Sequence, residues 1–421
     1  MFKRVFNSNL SSYQSNILKL MSGTFLAQLI PLIVAPILTR LYTPVDFGVY
    51  GTLSALIALL TIFSTGKYEL ALNIPSNLKE VKSLIILSLI LSVITCVFIS
   101  ALSLFFDLNQ ILNLDNTTPN GFILLVICLS VLVNGINLCF RYLSNRTRYF
   151  SIVARSQILN SLASGASKIS LGYMGLTALS LNTGDIVGAF IGLASYFRKY
   201  KNKVFRIFIG FDIKSIKSVA YKYRDFPIYQ TLNSGVVRMI SYAPILIFSQ
   251  YYGVAIVGFY ELSIRILNRP LVVFTTAVTD VYREEVVKEI KQYGSAKHIF
   301  LKTFKGLLLL SILPFVILFL FAHDLFTLIF GEEWLFSGSI TIALIPLYWS
   351  RFIVSPLTYV FIVVNKQKEA AVWNTTISLI SVAILFTGSY LQLDVTKTLL
   401  IFSLIYLIYY ILLFLRSYKI A

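Results

Sequence analysis

The sequence predicts an all-α integral membrane protein of twelve transmembrane helices, arranged as two six-helix lobes. Three observations carry that expectation: an apolar composition, unbroken apolar runs of spanning length, and a weak repeat at half the chain length. Of 421 residues, 57% are hydrophobic and 13% are charged, with a mean hydropathy of +0.80. Soluble domains average about 45–50% apolar and about 25% charged, so a soluble protein of this composition could not cover its surface. Runs such as LKLMSGTFLAQLIPLIVAPILT and FKGLLLLSILPFVILFLF are continuous, whereas barrel strands alternate over about ten residues. At about 1.5 Å per residue, each run crosses a hydrocarbon core of about 30 Å as a helix.

Spans are expected over 17–39, 44–65, 83–106, 121–143, 150–173, 177–197, 228–250, 254–280, 303–322, 337–364, 370–391 and 396–415. The first run is too long for a signal-peptide core and no cleavage pattern follows it, so it is expected to remain as an anchor. Connections alternate in charge. One set holds Lys3 and Arg4, then Lys67, Lys79 and Lys82, then Arg141, Arg146 and Arg148, and then nine Lys or Arg between Arg198 and Arg224. It continues with six between Arg283 and Lys305, then Lys366, Lys368, Arg416 and Lys419. The other set has Arg40 and Lys397 and otherwise acids: Asp107, Asp115, Asp324, Glu332 and Glu333. The positive-inside rule then places both termini in the cytoplasm.

That placement accounts for the net charge of +18 as contact with anionic head groups of membrane lipids, so no nucleic-acid partner is expected. The run RKYKNKVFRIF (198–208) is expected to be an amphipathic surface segment within a basic linker, 201–225, joining an N-terminal lobe (1–200) to a C-terminal lobe (226–421). Cys96, Cys128 and Cys139 all lie in apolar runs, which indicates neither a disulfide framework nor a zinc site.

The repeat emerges when LYTPVDFGVY (41–50) is set above YYGVAIVGFY (251–260). Tyr42 meets Tyr252, Gly48 meets Gly258 and Tyr50 meets Tyr260, a shift of 210 residues. NRTR (145–148) meets NKQK (365–368), and FDL (106–108) meets HDL (323–325), at shifts of 220 and 217. An even helix number per half preserves orientation, giving a parallel pseudo-two-fold repeat, a pattern of transporters with a site between the halves.

Gly184, Gly188 and Gly192, with Ser161 and Gly165, have the spacing of close helix packing. Prolines 31, 36, 244, 314, 346 and 356 are expected to kink their spans. The informative residues are charges, each costing about 2.5–3.5 kcal/mol at a bilayer centre on insertion scales. Lys168, Arg238, Arg265 and Arg351 are deep cations, with Arg269 on the same span as Arg265. Glu261, four residues before Arg265, is expected to pair with it, and Asp185 to answer one more. The cation excess implies a cationic cavity, to which Arg40 is added, and its natural ligand is phosphate or diphosphate. Glu261, Glu69 and Asp46 are candidates for coupling H+ or Na+.

His323, Asp324, Glu332 and Glu333 are expected in solvated outer loops, and His298 in a basic cytoplasmic loop. Asn116-Thr117-Thr118 fits a glycosylation acceptor but needs no such role. No metal-ligand spacing, phosphate-binding glycine loop or nucleophile motif occurs, so no cofactor is expected.

The segment from Tyr221 to Val286 resembles the second-half opening of polysaccharide-unit (O-antigen type) flippases of the multidrug/oligosaccharidyl-lipid/polysaccharide (MOP) exporter superfamily. The marks are Phe226-Pro227, the Gly258–Tyr260 turn, Arg265 and Asn268-Arg269-Pro270, with LTRLYTPVDFGVYG near the start and IFGEEW at 329–334. The resemblance covers nearly the whole chain through loose motifs. It implies a V of two six-helix lobes, similar to multidrug exporters of the superfamily. It further implies translocation of undecaprenyl-diphosphate-linked oligosaccharide, such as an O-antigen repeat unit of lipopolysaccharide, from the cytoplasmic to the outer leaflet of a bacterial inner membrane. Alternating access, a lipid-linked substrate and polysaccharide polymerase machinery as a partner belong to the same expectation. The rival readings are a multidrug exporter of the superfamily, against which the cationic cavity argues, and a membrane glycan polymerase or glycosyltransferase, which usually needs a larger outer loop. A bare lipid scaffold would not need an oriented repeat.

Overall fold

The computed structural model describes residues 12–105, 107–112, 119–176, 179–208 and 212–421. Lys3, Arg4, Asp115 and the 116–118 acceptor lie outside the described residues. Among those described there is helix and no strand. In chain order the α-helices are α1 Ser12–Leu41, α2 Pro44–Ser64, α3 Tyr68–Ala71, α4 Leu78–Leu102, α5 Leu108–Leu112, α6 Asn120–Arg146, α7 Phe150–Tyr173 and α8 Leu179–Phe208. They continue with α9 Ile213–Lys222, α10 Leu232–Tyr251, α11 Val254–Tyr293, α12 Lys297–Phe330, α13 Leu335–Val354, α14 Val360–Val363, α15 Gln367–Tyr390 and α16 Val395–Ile420. Nine helices among the described residues are long and apolar enough to cross a membrane, and α7, α8 and α11 are not among them. Polar side chains such as Asn160, Ser164 and Lys168 on α7, Asn182 and Asp185 on α8, and Glu261 and Arg265 on α11 are the reason. The protein is a multi-pass membrane protein.

Helix ends follow local chemistry. Thr43 caps α2 in a reciprocal box: its Oγ1 accepts from the Asp46 N–H at 3.3 Å, while Asp46 Oδ2 accepts from the Thr43 N–H at 2.9 Å. Asn77, Asp212 and Asp394 cap α4, α9 and α16 by accepting from backbone N–H groups two residues on. Gly294 (φ 72°) and Gly331 (φ 106°) end α11 and α12 in backbone that a side chain would strain. Gly331 belongs to the IFGEEW motif, whose Trp334 is fully buried.

Several expected spans differ in extent. α11 and α12 run well past 280 and 322, so His323 and Asp324 lie on the exposed surface of α12 rather than in a loop. HDL is therefore helical whereas Asp107 of FDL precedes a short helix, and that match does not describe equivalent structure. Pro356 converts the 337–364 span into α13, a 3-10 turn over Ser355–Tyr359, and α14. The RKYKNKVFRIF run continues α8 to Phe208 instead of forming a separate segment. A π-helical turn, Phe226–Thr231, opens α10 around Pro227, a feature with no sequence signal beyond the proline.

By contacts the described residues form two compact units. The first holds those through Tyr42 and those from Val49 to Tyr242; the second holds Thr43–Gly48 and Ala243–Ala421. The sequence places the division at the 201–225 linker. In the first unit α9 docks through Ile216 and Val219 onto Val81, Leu84 and Ile85 of α4. Lys222 and Tyr223 bond Glu80 at 2.9 and 3.1 Å, and the Glu80 carboxylate holds the Lys222 ammonium above its usual pKa.

Also in the first unit, α7 and α8 pack with little side chain between them. A Cβ at Gly188 would lie 2.6 Å from the Asn160 carbonyl, and Ser156 Oγ donates to the Gly192 carbonyl at 2.9 Å. Gly165 instead faces Val34 of α1. In the second unit the repeat-matched glycines meet each other. A Cβ at Gly48 would lie 1.8 Å from the Val254 carbonyl oxygen, and one at Gly258 would lie 1.8 Å from that of Pro44. The first turns of α2 and α11 thus touch backbone to backbone.

Candidate functional site

The first unit contains a polar cavity of about 300 Å³. Its lining includes Tyr50, Ser54, Ser130, Asn134, Asn160, Asn182 and Asp185. These polar groups sit at helical spacing on α2, α6, α7 and α8, helices whose other faces pack apolar residues such as Leu53, Ile127 and Val131. Lys168 Nζ is 2.7 Å from Asp185 Oδ1, with side-chain exposures of 8% and 44%. Ser164 Oγ donates to the same carboxylate oxygen at 2.6 Å. The Lys168 ammonium also reaches the Tyr50 hydroxyl at 3.3 Å and lies 4.6 Å from its ring centroid. Asp185 therefore answers Lys168, as expected, and that pairing removes Lys168 from the cation excess. The cavity offers amides and hydroxyls around a neutralised pair.

Glu69 lies elsewhere in the same unit, on α3 after two residues with positive φ, Gly66 and Lys67. It is 1% exposed. Its Oε1 is 4.0 Å from Lys67 Nζ, and its Oε2 has no hydrogen-bond partner among the described residues. A buried carboxylate oxygen left unsatisfied is costly, and such a group is a fit seat for a proton or a small cation. Arg40 is exposed in the last turn of α1, where a cation complements the helix dipole. Arg238 is exposed on α10, with Nη1 3.4 Å from the Tyr242 hydroxyl.

The second unit gathers Glu261, Arg265, Arg269 and Arg351. Arg265 and Arg269 lie within electrostatic reach of Glu261. Tyr348 couples in the same way to both Glu261 and Arg351, and Tyr410 couples to Arg351 and Tyr348. Tyr406 stacks on Tyr410 with ring centroids 6.4 Å apart. Arg265 is 8% exposed and its guanidinium lies 5.6 Å from the Phe47 ring centroid, with Phe47 edge-on to Trp334 at 4.9 Å. Arg265, expected in the cationic cavity, lies over the Phe47 ring. Asp46, a candidate coupling group, has its carboxylate occupied by the α2 capping box.

The sequence thus named the charges but missed their surroundings: the tyrosines of the second unit and the amide-rich cavity of the first. The available signals were Asn160, Ser164 and Lys168 at four-residue spacing, and Tyr406, Tyr409 and Tyr410 at i, i+3 and i+4. No cluster of three or more metal-ligating side chains occurs among the described residues.

A family model described as polysaccharide biosynthesis protein matches residues 37–338, well over half of the chain. The chain belongs to that family. The TuaB teichuronic acid biosynthesis protein of Bacillus subtilis (strain 168) is 22% identical over 285 residues, 64% of this chain and 56% of that protein. The chain therefore matches little more than half the length of this relative. Among solved structures, the lipid II flippase MurJ in an inward closed conformation superimposes with a TM-score of 0.71 at 15% identity, covering 95% of this chain and 90% of that one. An inward-facing multidrug resistance MATE transporter of the MOP superfamily gives 0.59 at 13% identity, covering 93% of each chain. A MOP superfamily transporter from Pyrococcus furiosus gives 0.57 at 13% identity, covering 96% and 94%. The chain has the fold of these MOP superfamily transporters.

Proposed function

We propose that this polysaccharide biosynthesis protein flips an undecaprenyl-diphosphate-linked oligosaccharide, the repeat unit of O-antigen or a related polysaccharide, from the cytoplasmic to the outer leaflet of the bacterial inner membrane. The observation that carries the reading is a MOP transporter fold in a polysaccharide-biosynthesis family. The likeness to a lipid II flippase favours a lipid-linked cargo, and the match to a teichuronic acid biosynthesis protein favours a polysaccharide precursor. On this reading twelve spans form two six-helix lobes, 1–200 and 226–421, arranged as a V and joined by 201–225, with both termini cytoplasmic. The lobes rock between inward and outward openings while the lipid tail stays in the bilayer, and a polysaccharide polymerase consumes the product.

Arg265, Arg269 and Arg351 supply the positive field for the diphosphate, because guanidinium forks match phosphate oxygens. Arg238 and Arg40 are the exposed cations of the proposed path. The amides and hydroxyls around the Lys168–Asp185 pair offer neutral hydrogen bonding, which suits sugar hydroxyls. Glu69 and Glu261 are the groups for H+ or Na+ coupling, whereas Asp46 is accounted for by its cap. A multidrug exporter carrying organic cations fits less well, because Lys168 already neutralises the cavity carboxylate.

The test is reconstitution with a labelled undecaprenyl-diphosphate oligosaccharide. Wild type should flip it, while Arg265→Gln combined with Arg351→Gln should slow flipping at least tenfold with folding intact. Wild-type rates in that variant would remove the arginines from the proposal, and drug efflux without lipid flipping would favour the rival.

A further inference from the structure

Apart from the polar cavity, the first unit carries a groove of about 390 Å³ along the seam of α7 and α8. Leu159 of α7 with Ile191 and Ala194 of α8 form apolar walls, and Arg155 of α7 with Arg198 and Lys199 of α8 form a basic rim. The two helices run antiparallel: Ser156 lies opposite Gly192, Asn160 opposite Gly188, and Lys199 rests over the Tyr149 ring at 4.5 Å. In that register Arg155 faces residue 193, roughly 7 Å along the axis from Arg198. The three cations therefore gather at one end of the groove.

Among the described residues no carboxylate lines the groove. Among the described residues Arg155 and Arg198 make no ion pair, and Ser195 Oγ in the same wall has no hydrogen-bond partner. Val187, Phe190 and Ile191 of α8 are exposed by 40%, 49% and 41%, as a helix facing acyl chains requires. Two guanidinium groups with no ion pair among the described residues, set above an apolar channel, call for a ligand with an anionic head and a hydrocarbon tail. Free phosphate would leave the apolar walls bare, and a zwitterionic lipid would answer the charge poorly.

We propose that this groove holds an anionic phospholipid, with its phosphate against Arg155 and Arg198 and one acyl chain along Leu159, Ile191 and Ala194. Basic pockets between transmembrane helices on the cytoplasmic side bind anionic head groups, and the positive-inside distribution assigns this end of α7 and α8 to that side. The site is independent of the cargo assigned above.

The test is native mass spectrometry of the purified full-length protein in detergent, titrated with phosphatidylglycerol, phosphatidylethanolamine or inorganic phosphate. Phosphatidylglycerol should be retained selectively. Removing both charges with R155Q/R198Q should weaken retention roughly thirtyfold, at about fivefold per cation. Ala194→Phe, which fills the channel and leaves the charges, should weaken it independently, with thermal melts confirming that each variant is folded. Equal retention of phosphatidylethanolamine, unchanged retention in folded R155Q/R198Q, or displacement by millimolar phosphate would overturn the proposal. Displacement of phosphatidylglycerol by equimolar undecaprenyl diphosphate would overturn it in favour of a substrate entry site.

Discussion

Asp185 and Lys168 form a pair whose halves are unequally buried, and that asymmetry makes a sharp prediction. Asp185→Ala removes the carboxylate 2.7 Å from the Lys168 ammonium, which is 8% exposed. Breaking a buried pair by removing one partner costs about 3–5 kcal/mol. Lys168→Met keeps the volume and removes the charge that is hard to bury. It leaves Asp185, 44% exposed toward the cavity, still holding the Ser164 hydroxyl, so its cost should be about 1 kcal/mol. The double variant K168M/D185A should recover most of the loss in D185A. Thermal unfolding in one detergent, compared across the four proteins, reads the cycle. Equal destabilisation by the two single variants, or a double variant as unstable as D185A, would refute the argument.

Other positions give independent checks. Gly258→Ala must part the first turns of α2 and α11 by at least 1.2 Å to bring the new Cβ from 1.8 Å to a 3.0 Å contact with the Pro44 oxygen, and overpacking of that kind costs about 1–3 kcal/mol. Gly306→Ala, with nothing within 4 Å, should melt no lower than wild type. Glu69→Gln should fold normally yet abolish the response of flipping to an imposed H+ or Na+ gradient; an unchanged response removes Glu69 from coupling. Bonds from the Thr396 hydroxyl and the Lys397 N–H hold the Asp394 carboxyl below its usual pKa, so its cap contributes fully above about pH 4 and fades as pH falls past the lowered value. Asp394→Ala should therefore cost about 1 kcal/mol at pH 7 and progressively less as the pH is lowered through and below the ordinary carboxyl range, as read by melting across that range.

An all-helical membrane protein was legible because apolar runs of spanning length admit few solutions in lipid. The pairing of Gly48 with Gly258 was legible as a repeat but not as a contact, since spacing alone does not show which turns touch. Helix ends were missed where a helix continues past its apolar run, as α11 does through Arg283 and Lys288 to Tyr293. Loop-like polarity at His323 and Asp324 misled for the same reason. The charges stood out against an apolar background, yet their partners come from distant segments: Phe47 beneath Arg265, and Tyr410 beside Arg351. Asp185 was within reach of sequence reasoning because it is one of few acids within the apolar runs. Asp46 was not separable from a coupling acid by type, and its capping role appears from geometry, although Thr at 43 with Asp three residues on is a known cap spacing.

The most direct test of the central claim is the leaflet distribution of the completed lipid-linked repeat unit in cells lacking this protein. The account predicts that finished units accumulate on the cytoplasmic leaflet, inaccessible to a glycan-binding probe added outside spheroplasts, and that wild type but not R265Q/R351Q restores access. Finished units reaching the outer leaflet at the wild-type rate, or unfinished units accumulating in their place, would contradict it.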